Sequence, residues 1–269
     1  MDTVRGIGKH LLGEIAAPAP SYYRLVVRMC CRADAVVCTT VEQQELIAPH
    51  CRNVHTILDI HDDEVRAVKS DYATGDTLNL FWEGLPYTLP DFRLLSGALR
   101  ALGTERRLAV HVMTNLSFGR LGGRLRKAQT RDVLDRLFDG AYLYQWNAEM
   151  LSTLATACDL AVIPLDLTHP LARGKPENKL LLMWRMGLPV IASATPAYTR
   201  AMAAAGVDGV CASAAQWSQS LRRFAQDEAL RREAGQRGRA YAQRECDREA
   251  LLARWDRVLD SVGVTSGSG

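Results

Sequence analysis

The sequence lacks the features that mark several large classes of protein. Its seven cysteines form no CxxC pair, which disfavours both a zinc site and a disulfide framework. Its net charge is only +3, whereas nucleic-acid-binding domains are usually strongly basic. No apolar run approaches the roughly 20 residues of a membrane span, and no signal peptide opens the chain. We therefore expect a cytoplasmic protein with reduced thiols, no metal and no nucleic-acid partner.

Two common phosphate-binding fingerprints, Walker A and GxGxxG, are also missing. The glycines of FGRLGGRLRK, residues 118–127, follow a predicted strand, but they have the spacing of neither fingerprint. The basic residues of this segment are interpreted as part of a solvated loop, with contact to a polyanion as the alternative. Without a P-loop or a recognisable nucleophile, a kinase or phosphatase is a weak hypothesis.

What the sequence does contain is an alternation of short apolar runs with amphipathic segments. The runs have the length and composition of buried parallel strands, and the segments between them have helical spacing. The predicted strands are residues 35–40, 51–59, 78–84, 107–115, 141–146, 160–164, 187–193 and 207–212. This alternation predicts an α/β fold, with a Rossmann-type parallel sheet and helices on both of its faces.

Four segments of different character divide the chain. Residues 1–72 contain two predicted strands and two helices, too few for a complete doubly wound sheet, and form a short N-terminal α/β unit. Residues 73–213 form the Rossmann-like domain, residues 214–262 are helical only, and residues 263–269 are a flexible tail. The helix predicted at residues 21–33 is interpreted as a core helix, and contact with a membrane surface is the alternative.

Residues 159–193 carry the main candidate site. They are predicted to form a strand, a long polar loop, a helix and a second strand, with Arg173, Lys175 and Lys179 near the start of the helix. A helix N-terminus beyond the carboxyl end of a parallel strand presents free N–H groups to an anion. Lys179 in the first turn costs roughly 0.3–1 kcal/mol unless an anion offsets it. A solvated lysine is the alternative, but the neighbouring basic residues favour a diphosphate site.

The segment KPENKLLLMWRMGLPVIAS, residues 175–193, resembles the donor-site segment of group 1, GT-B-type glycosyltransferases, whose usual form is close to SPNKLLEYMAAGLPVVAS. Three further segments resemble parts of the same family. ADAVVCTT resembles the last strand of its N-terminal domain, and HTILDIHD resembles the entry to its interdomain linker. LNLFWEG resembles the first strand of its donor domain. The resemblance implies a GT-B-like fold with an incomplete acceptor domain and C-terminal helices that pack across it. It also implies a retaining, metal-independent enzyme that needs no cofactor.

Carried over by position, the resemblance implies roles for the basic cluster. Lys179 is the candidate catalytic residue, because it would neutralise the donor diphosphate as the glycosidic bond breaks. Lys175 would assist it, and Asn178 would add a neutral donor beside the helix N-terminus. Arg173 is a further donor-binding candidate because of its place in the loop beside these residues. Glu177 is a candidate for contacts to the ribose.

The resemblance also implies contacts from two other strand ends. Glu83 and Gly84 lie where the backbone of the family approaches the phosphate or the sugar. Trp146 and Asn147 lie where the family holds the nucleobase, although core packing is an equally good interpretation of Trp146 taken alone.

The sequence departs from the family at several positions. Leu182 stands where the family commonly has a glutamate that binds the ribose, and Gly174, eight residues earlier, is not the other glutamate of that pair. No arginine follows Gly84. The only local candidates for a general base are the side chains of the segment HDD, residues 61–63, for which a solvated acidic turn is the favoured interpretation.

The sequence therefore predicts a glycosyltransferase that moves a sugar from a nucleotide-diphosphate sugar to a glycan, lipid or small-molecule acceptor. The alternative is a non-catalytic or partner-dependent module that binds a nucleotide or phosphosugar, with a partner protein supplying the acceptor half. Peripheral contact with the inner face of the membrane stays open as a variant of the cytoplasmic location.

Overall fold

The structure is a computed structural model that describes residues 2–11, 13, 15, 21–59, 64–120, 125–169, 171–245 and 247–264. Its α-helices are α1 (Asp2–Leu11), α2 (Tyr22–Cys30), α3 (Val41–Ile47), α4 (Ser96–Gly103), α5 (Thr130–Leu134), α6 (Ala148–Ala157), α7 (Asn178–Arg185), α8 (Pro196–Ala205), α9 (Ala214–Gln226), α10 (Glu228–Glu245) and α11 (Arg248–Ser261). Its strands are β1 (Val36–Cys38), β2 (Val54–Thr56), β3 (Thr77–Glu83), β4 (Arg107–Thr114), β5 (Ser117–Arg120), β6 (Leu125–Gln129), β7 (Ala141–Gln145), β8 (Leu160–Ile163), β9 (Val190–Ser193) and β10 (Val210–Cys211).

The chain divides into two compact units, and each is assembled from separate segments. The first unit contains Met1–Leu58, Gly119–Ala128 and Arg248–Gly269, and the second contains Asp59–Phe118 and Gln129–Asp247. These units differ from the predicted division at residues 72 and 213, because the second unit begins earlier and includes α9 and α10. The roles assigned to the predicted segments stay predictions.

The first unit holds a small parallel sheet of β1 and β2, joined through α3. Thr40 caps α3 as predicted, since its hydroxyl accepts from the backbone N–H of Gln43 at 3.1 Å. The core-helix interpretation of α2 is wrong, because Tyr23, Leu25, Val26 and Met29 are 38–64% exposed. The physical reason is that the two-stranded sheet of this unit is too small to cover the apolar face of the helix.

The same unit contains residues 119–120 of β5 and 125–128 of β6, two strands that pair with each other in the segment predicted to be a solvated loop. The loop prediction is therefore wrong for the paired residues, and residues 121–124 lie outside the described part of the chain. Helix α11 also belongs to this unit, where the side-chain amide of Asn53 donates to the hydroxyl of Ser261 at 2.8 Å. The last predicted helix thus packs with the N-terminal segment, as the predicted fold class requires.

The second unit is built on a six-stranded, all-parallel sheet in the order β10-β9-β8-β3-β4-β7. Counted along the chain within this unit, the order is 3-2-1-4-5-6, the doubly wound Rossmann arrangement. Strands β8 and β9 are buried at every residue, as expected for parallel strands covered on both faces. The predicted α/β class with a Rossmann-type sheet is confirmed.

The helix predicted from Asp91 to about residue 102 differs from the observed structure. A 3-10 helix spans Pro86–Leu95, and α4 continues from Ser96 to Gly103. Pro90 lies inside this segment and has no backbone N–H to donate, so a regular α-helical ladder cannot form through it.

Helix α7 is held from behind by α10 and by the segment that precedes β3. A Cβ on Gly238 of α10 would lie 2.4 Å from the ring of Trp184, so only glycine allows the observed approach of α10 to α7. The hydroxyl of Tyr72 donates to the carbonyl of Gly187 at 2.8 Å, just after the end of α7. These contacts fix the axis of α7, and its N-terminus consequently occupies a defined place at the edge of the sheet.

Lys69, in the segment before β3, is a buried cation at the end of α6. Only 8% of it is exposed, and its ammonium donates to the carbonyls of Cys158 at 2.7 Å and Thr156 at 3.1 Å. Burial lowers its pKa, while the carboxylate of Asp159 raises it. Because the carbonyls at a helix C-terminus carry partial negative charge, this lysine stabilises the end of α6.

No helix among the described residues combines the length and the apolar composition needed to cross a membrane.

Candidate functional site

The candidate site lies at the switch point of the sheet in the second unit, between β3 and β8. The strand order reverses there, and α/β proteins commonly bind ligands in a crevice beyond the carboxyl ends of the two strands at such a point. The segment after β3 begins with Gly84, and the segment after β8 leads through a long loop into α7. The main candidate stretch and the end of β3 are therefore brought together.

Lys179 connects these two segments directly. Its ammonium donates to the backbone carbonyl of Glu83 at 3.0 Å and lies 5.3 Å from the ring centroid of Trp82. Burial lowers the pKa of Lys179, and Glu83 opposes that shift by raising it. This geometry does not fit a fully solvated lysine head, and the role of Lys179 in binding a diphosphate stays a prediction.

Gly84 packs against the Lys179 ammonium and the Trp82 ring, and a side chain would not fit there. A Cβ there would lie 2.4 Å from the Lys179 ammonium and 2.7 Å from the Trp82 ring. Its carbonyl accepts from the hydroxyl of Thr114, at the end of β4, at 2.6 Å. The backbone at Gly84 is thus buried, fixed in position and bare of side chain.

The start of α7 offers main-chain donors to the same crevice. Glu177 is its N-terminal flanking residue, and no side chain caps the helix. The side-chain amide of Asn178 donates to the carboxylate of Asp59, and its buried oxygen has no hydrogen-bond partner among the described residues. The uncapped first turn therefore keeps its N–H groups and partial positive charge for an anion.

The two other predicted cations differ in their placement. Lys175 lies close enough to Lys179 and Asp91 for their charges to interact, so it belongs to the same cluster. Arg173 is exposed on the loop, and no hydrogen bond or ion pair links it to another described residue. The structure groups Lys175 with the site but does not bring Arg173 into contact with it.

Trp146 and Asn147 follow β7, two strands away from β3 along the sheet. The backbone N–H of Trp146 donates to the carbonyl of Thr114 at 3.0 Å, and its side chain is 41% exposed. Asn147 instead caps α6, since its side-chain oxygen accepts from the N–H of Glu149 at 2.8 Å. The exposure of Trp146 fits a ring that a ligand can reach better than it fits core packing. The side-chain oxygen of Asn147 is used to cap α6.

Sequence reasoning missed Asp91 and Asp166 at this site. Burial raises the pKa of Asp91, on the 3-10 helix after Gly84, and the charges of Asp166 and Lys175 on the loop after β8 act on its carboxylate. No local signal marks Asp91 because these residues lie far away in the sequence. The general-base candidates at residues 61–63 lie outside the described residues. Leu182, which replaces the family glutamate, is only 7% exposed and packs in the core.

Within the described residues, no group of three or more His, Cys, Asp or Glu side chains is arranged to hold a metal ion. The positive charge of the site comes from Lys179, Lys175 and the helix start.

No sequence-family profile matches the chain, and no curated protein matches it in sequence. Solved structures do match it in fold. Sucrose-phosphate synthase from Thermosynechococcus elongatus matches at 15% identity and a TM-score of 0.66, over 96% of this chain and 65% of that one. Anabaena HepE, solved in complex with UDP-glucose, matches at 14% identity and 0.64, over 89% of this chain and 66% of that one.

TarM matches at 11% identity and a TM-score of 0.64, over 90% of this chain and 46% of that one. The chain thus spans about half to two thirds of the length of the structures it matches. The strand order and these similarities lead to one conclusion, which is that the chain has the fold of the GT-B glycosyltransferases.

Proposed function

We propose that this chain binds a nucleotide-diphosphate sugar at the switch point of its second unit and takes part in transferring the sugar to an acceptor. The observation that carries the proposal is the Lys179 ammonium, held 3.0 Å from the Glu83 carbonyl beside the uncapped start of α7. A diphosphate placed there receives a cation and main-chain donors at once. HepE, which shares the fold, is described in complex with UDP-glucose.

The proposed chemistry is stabilisation of the leaving group. Cleavage of the bond between sugar and diphosphate leaves additional negative charge on the diphosphate. Lys179, Lys175 and the α7 start are positioned before the reaction to receive that charge, which is the general way in which preorganised charge lowers a barrier. We propose a metal-independent reaction on this basis, with retention of the anomeric configuration as the family resemblance implies.

The donor would extend along the edge of the sheet from Gly84 towards Trp146. Thr114 bonds to the carbonyl of Gly84 through its hydroxyl and accepts from the N–H of Trp146 through its carbonyl, so the ends of three neighbouring strands are linked. Two strand spacings of about 4.8 Å each separate β3 from β7. We propose that the diphosphate lies at Lys179 and that the base stacks on the exposed ring of Trp146.

The acceptor is proposed to be a glycan, a lipid or a small molecule, and the setting the cytoplasm. The exposed apolar face of α2, flanked by Arg24 and Arg28, is where contact with the inner face of a membrane would occur.

The second candidate function is a partner-dependent module that binds the donor but turns it over only when another protein supplies the acceptor half. The observation that favours it is the small first unit, where β1 and β2 pair only with each other among the residues that the structure describes. Turnover distinguishes the two candidates, because the enzyme would transfer or hydrolyse the sugar as an isolated chain and the module would only bind it.

The test is calorimetric titration with UDP, GDP and ADP, followed by transfer and hydrolysis assays with the matching sugar nucleotides and a broad acceptor panel. Lys179→Ala should weaken binding of the diphosphate by about 1.5–3 kcal/mol, the scale of a hydrogen bond to a charged group. Lys127→Ala, in β6 of the other unit, is the matched control and should leave affinity unchanged. Equal affinity of the Lys179 variant and the parent chain would remove this lysine from the site.

A further inference from the structure

The side-chain amide of Asn178, the first residue of α7, is held in one orientation by Asp59. An asparagine amide has two N–H donors on its nitrogen and one acceptor oxygen. The nitrogen donates to the carboxylate of Asp59, which lies between β2 and β3. A flipped amide would turn its oxygen towards that carboxylate, and two acceptors would then face each other. Asp59 therefore decides which end of the amide carries the oxygen.

The oxygen of the same amide is an unsatisfied acceptor. It is shielded from solvent and has no hydrogen-bond partner among the residues that the structure describes, although Asn178 as a whole is only half-buried. A buried acceptor without a partner is costly, and most such groups in native proteins are paired. Leu182, one turn further along the same face of α7, is apolar and has no donor to offer it. The missing partner is therefore a group that a ligand can bring.

A nucleotide-diphosphate sugar beside Lys179 presents two kinds of polar group to this oxygen. Its phosphate oxygens are acceptors, as the amide oxygen is, so these two groups repel each other. Its hydroxyls are donors, and they lie on the ribose and on the sugar, on either side of the diphosphate. Asn178 directly precedes Lys179 in α7, so its amide lies beside the position proposed for the diphosphate. A hydroxyl is thus the group of this ligand that complements the amide oxygen.

We propose that Asn178 is a specificity-determining residue, whose side-chain oxygen accepts a hydrogen bond from one hydroxyl of the sugar nucleotide, and that Asp59 is the positioning residue that orients its amide. This role rests on the donor site argued above. It differs from the role of neutral hydrogen-bond donor that the family resemblance implies for Asn178. It also gives the segment before β3 a part in ligand recognition, since Asp59 and Asn178 are 119 positions apart in the chain.

The expected effect is selectivity between a sugar nucleotide and an analogue that lacks one hydroxyl. Where the missing hydroxyl is the one that Asn178 binds, the parent chain should bind the analogue about 2- to 12-fold more weakly, the scale of a neutral hydrogen bond. Asn178→Ala should bind the two ligands with equal affinity, because the acceptor is gone. The cycle formed by two ligands and two proteins isolates this one contact from other effects of the substitution.

Further variants separate the acceptor from its orientation. Asn178→Leu keeps the approximate size of the side chain without an acceptor, and it serves as a second variant in case Asn178→Ala does not fold. Asp59→Ala frees the amide to rotate, so the selectivity should fall although the Asn178 oxygen is still present. Asp59→Asn has an oxygen that can accept from the Asn178 nitrogen, and it should recover part of the selectivity. Gln219→Ala removes an exposed amide from α9 and is the matched control.

The measurement is calorimetric titration of each protein with UDP-glucose and with analogues of it that each lack one hydroxyl of the ribose or of the glucose. GDP-glucose and ADP-glucose, with the corresponding analogues, are used where the parent chain prefers another base. The ribose analogues and the glucose analogues form separate arms, so the arm in which affinity falls identifies the ring that Asn178 contacts. Thermal unfolding verifies that each variant is folded.

Support requires one analogue that binds more weakly than the complete sugar nucleotide to the parent chain and to Gln219→Ala, but equally well to the folded Asn178 variants. The role of Asn178 is overturned if no analogue loses affinity in the parent chain, or if the Asn178 variants keep the parent's selectivity. Undiminished selectivity in Asp59→Ala overturns the role of Asp59. Failure of the donor site itself has another signature, since the parent chain would then bind none of the three sugar nucleotides, and both proposals would fall.

Discussion

The substitution Gly84→Ala tests the geometry of the crevice with a single methyl group. The backbone of Gly84 has no positive φ, so alanine is compatible with the backbone and the effect comes from crowding alone. The new Cβ would lie 2.7 Å from a ring carbon of Trp82, which must retreat by about 0.8 Å to reach a normal contact of about 3.5 Å. Trp82 is only 3% exposed and packs edge-on against Phe92 at 5.8 Å between ring centroids, so the ring has little freedom to move.

The flexible partner in this crowding is the Lys179 ammonium, at 2.4 Å from the added carbon. It can swing away, but it then gives up its hydrogen bond to the Glu83 carbonyl. Overpacking of a buried site costs about 1–3 kcal/mol, and we expect the free energy of unfolding of the second unit to fall by that amount. Donor affinity should fall about as far as in Lys179→Ala, because the ammonium leaves the position proposed for the diphosphate.

The assay combines thermal unfolding with calorimetric binding of UDP-glucose. For a unit of this size, each kcal/mol corresponds to a shift in Tm of about 2–4 °C. Gly97→Ala is the matched control, because a Cβ there meets nothing within 4 Å and the residue lies in α4, where alanine should stabilise by about 0.5–1 kcal/mol. Unchanged stability and affinity in Gly84→Ala would refute the close approach of lysine, ring and backbone.

Three further predictions concern the scaffold behind the site. Lys69→Met removes the charged donor from two carbonyls at the end of α6 and should destabilise the unit by about 2–4 kcal/mol in urea unfolding, whereas Lys69→Arg should recover part of the loss. Gly238→Ala places a carbon 2.4 Å from the Trp184 ring and should lower the unfolding free energy by about 1–3 kcal/mol, and an unchanged value would contradict the close packing of α10 on α7. Burial raises the pKa of Cys158 to about 12, so a thiol reagent at about pH 8 should label exposed Cys31 and leave Cys158 unlabelled in the folded chain. The unfolded thiol ionises at lower pH than the folded one, so the contribution of Cys158 to stability should be full below about pH 9 and decline as pH rises towards 12 in alkaline urea titrations.

The parts of the fold that could be predicted are those encoded by local pattern. The apolar runs LAVI and VIAS became β8 and β9, fully buried, because a parallel strand covered on both faces needs apolar residues at every position. The adjacency of β3 and β8 could not be deduced, since it depends on pairing between Leu80 and Leu160, far apart in the chain. That adjacency places Lys179 beside Glu83.

The parts that could not be predicted depend on contacts between distant residues. Strands β5 and β6 come from a segment rich in glycine and arginine, for which strand propensity is low, and they form because they pair with each other. Asp91 carries no motif, and the charges that act on it lie on the loop between β8 and α7, far away in the sequence. The structure brings Glu83, Gly84 and Lys179 together, while the roles that the resemblance implies for them in binding and catalysis stay predictions.

The first unit has a further consequence for how the chain is made. In the sequence, the two pieces of the second unit lie between its three segments. The bond between Asn53 and Ser261 joins residues 208 positions apart. During synthesis, the strands and helices of the second unit all leave the ribosome before α11, so that unit can complete its sheet first. The first unit must wait for the final helix, with its apolar side chains uncovered in the meantime. Chaperone dependence and aggregation during expression should therefore originate in the first unit rather than in the unit that carries the candidate donor site.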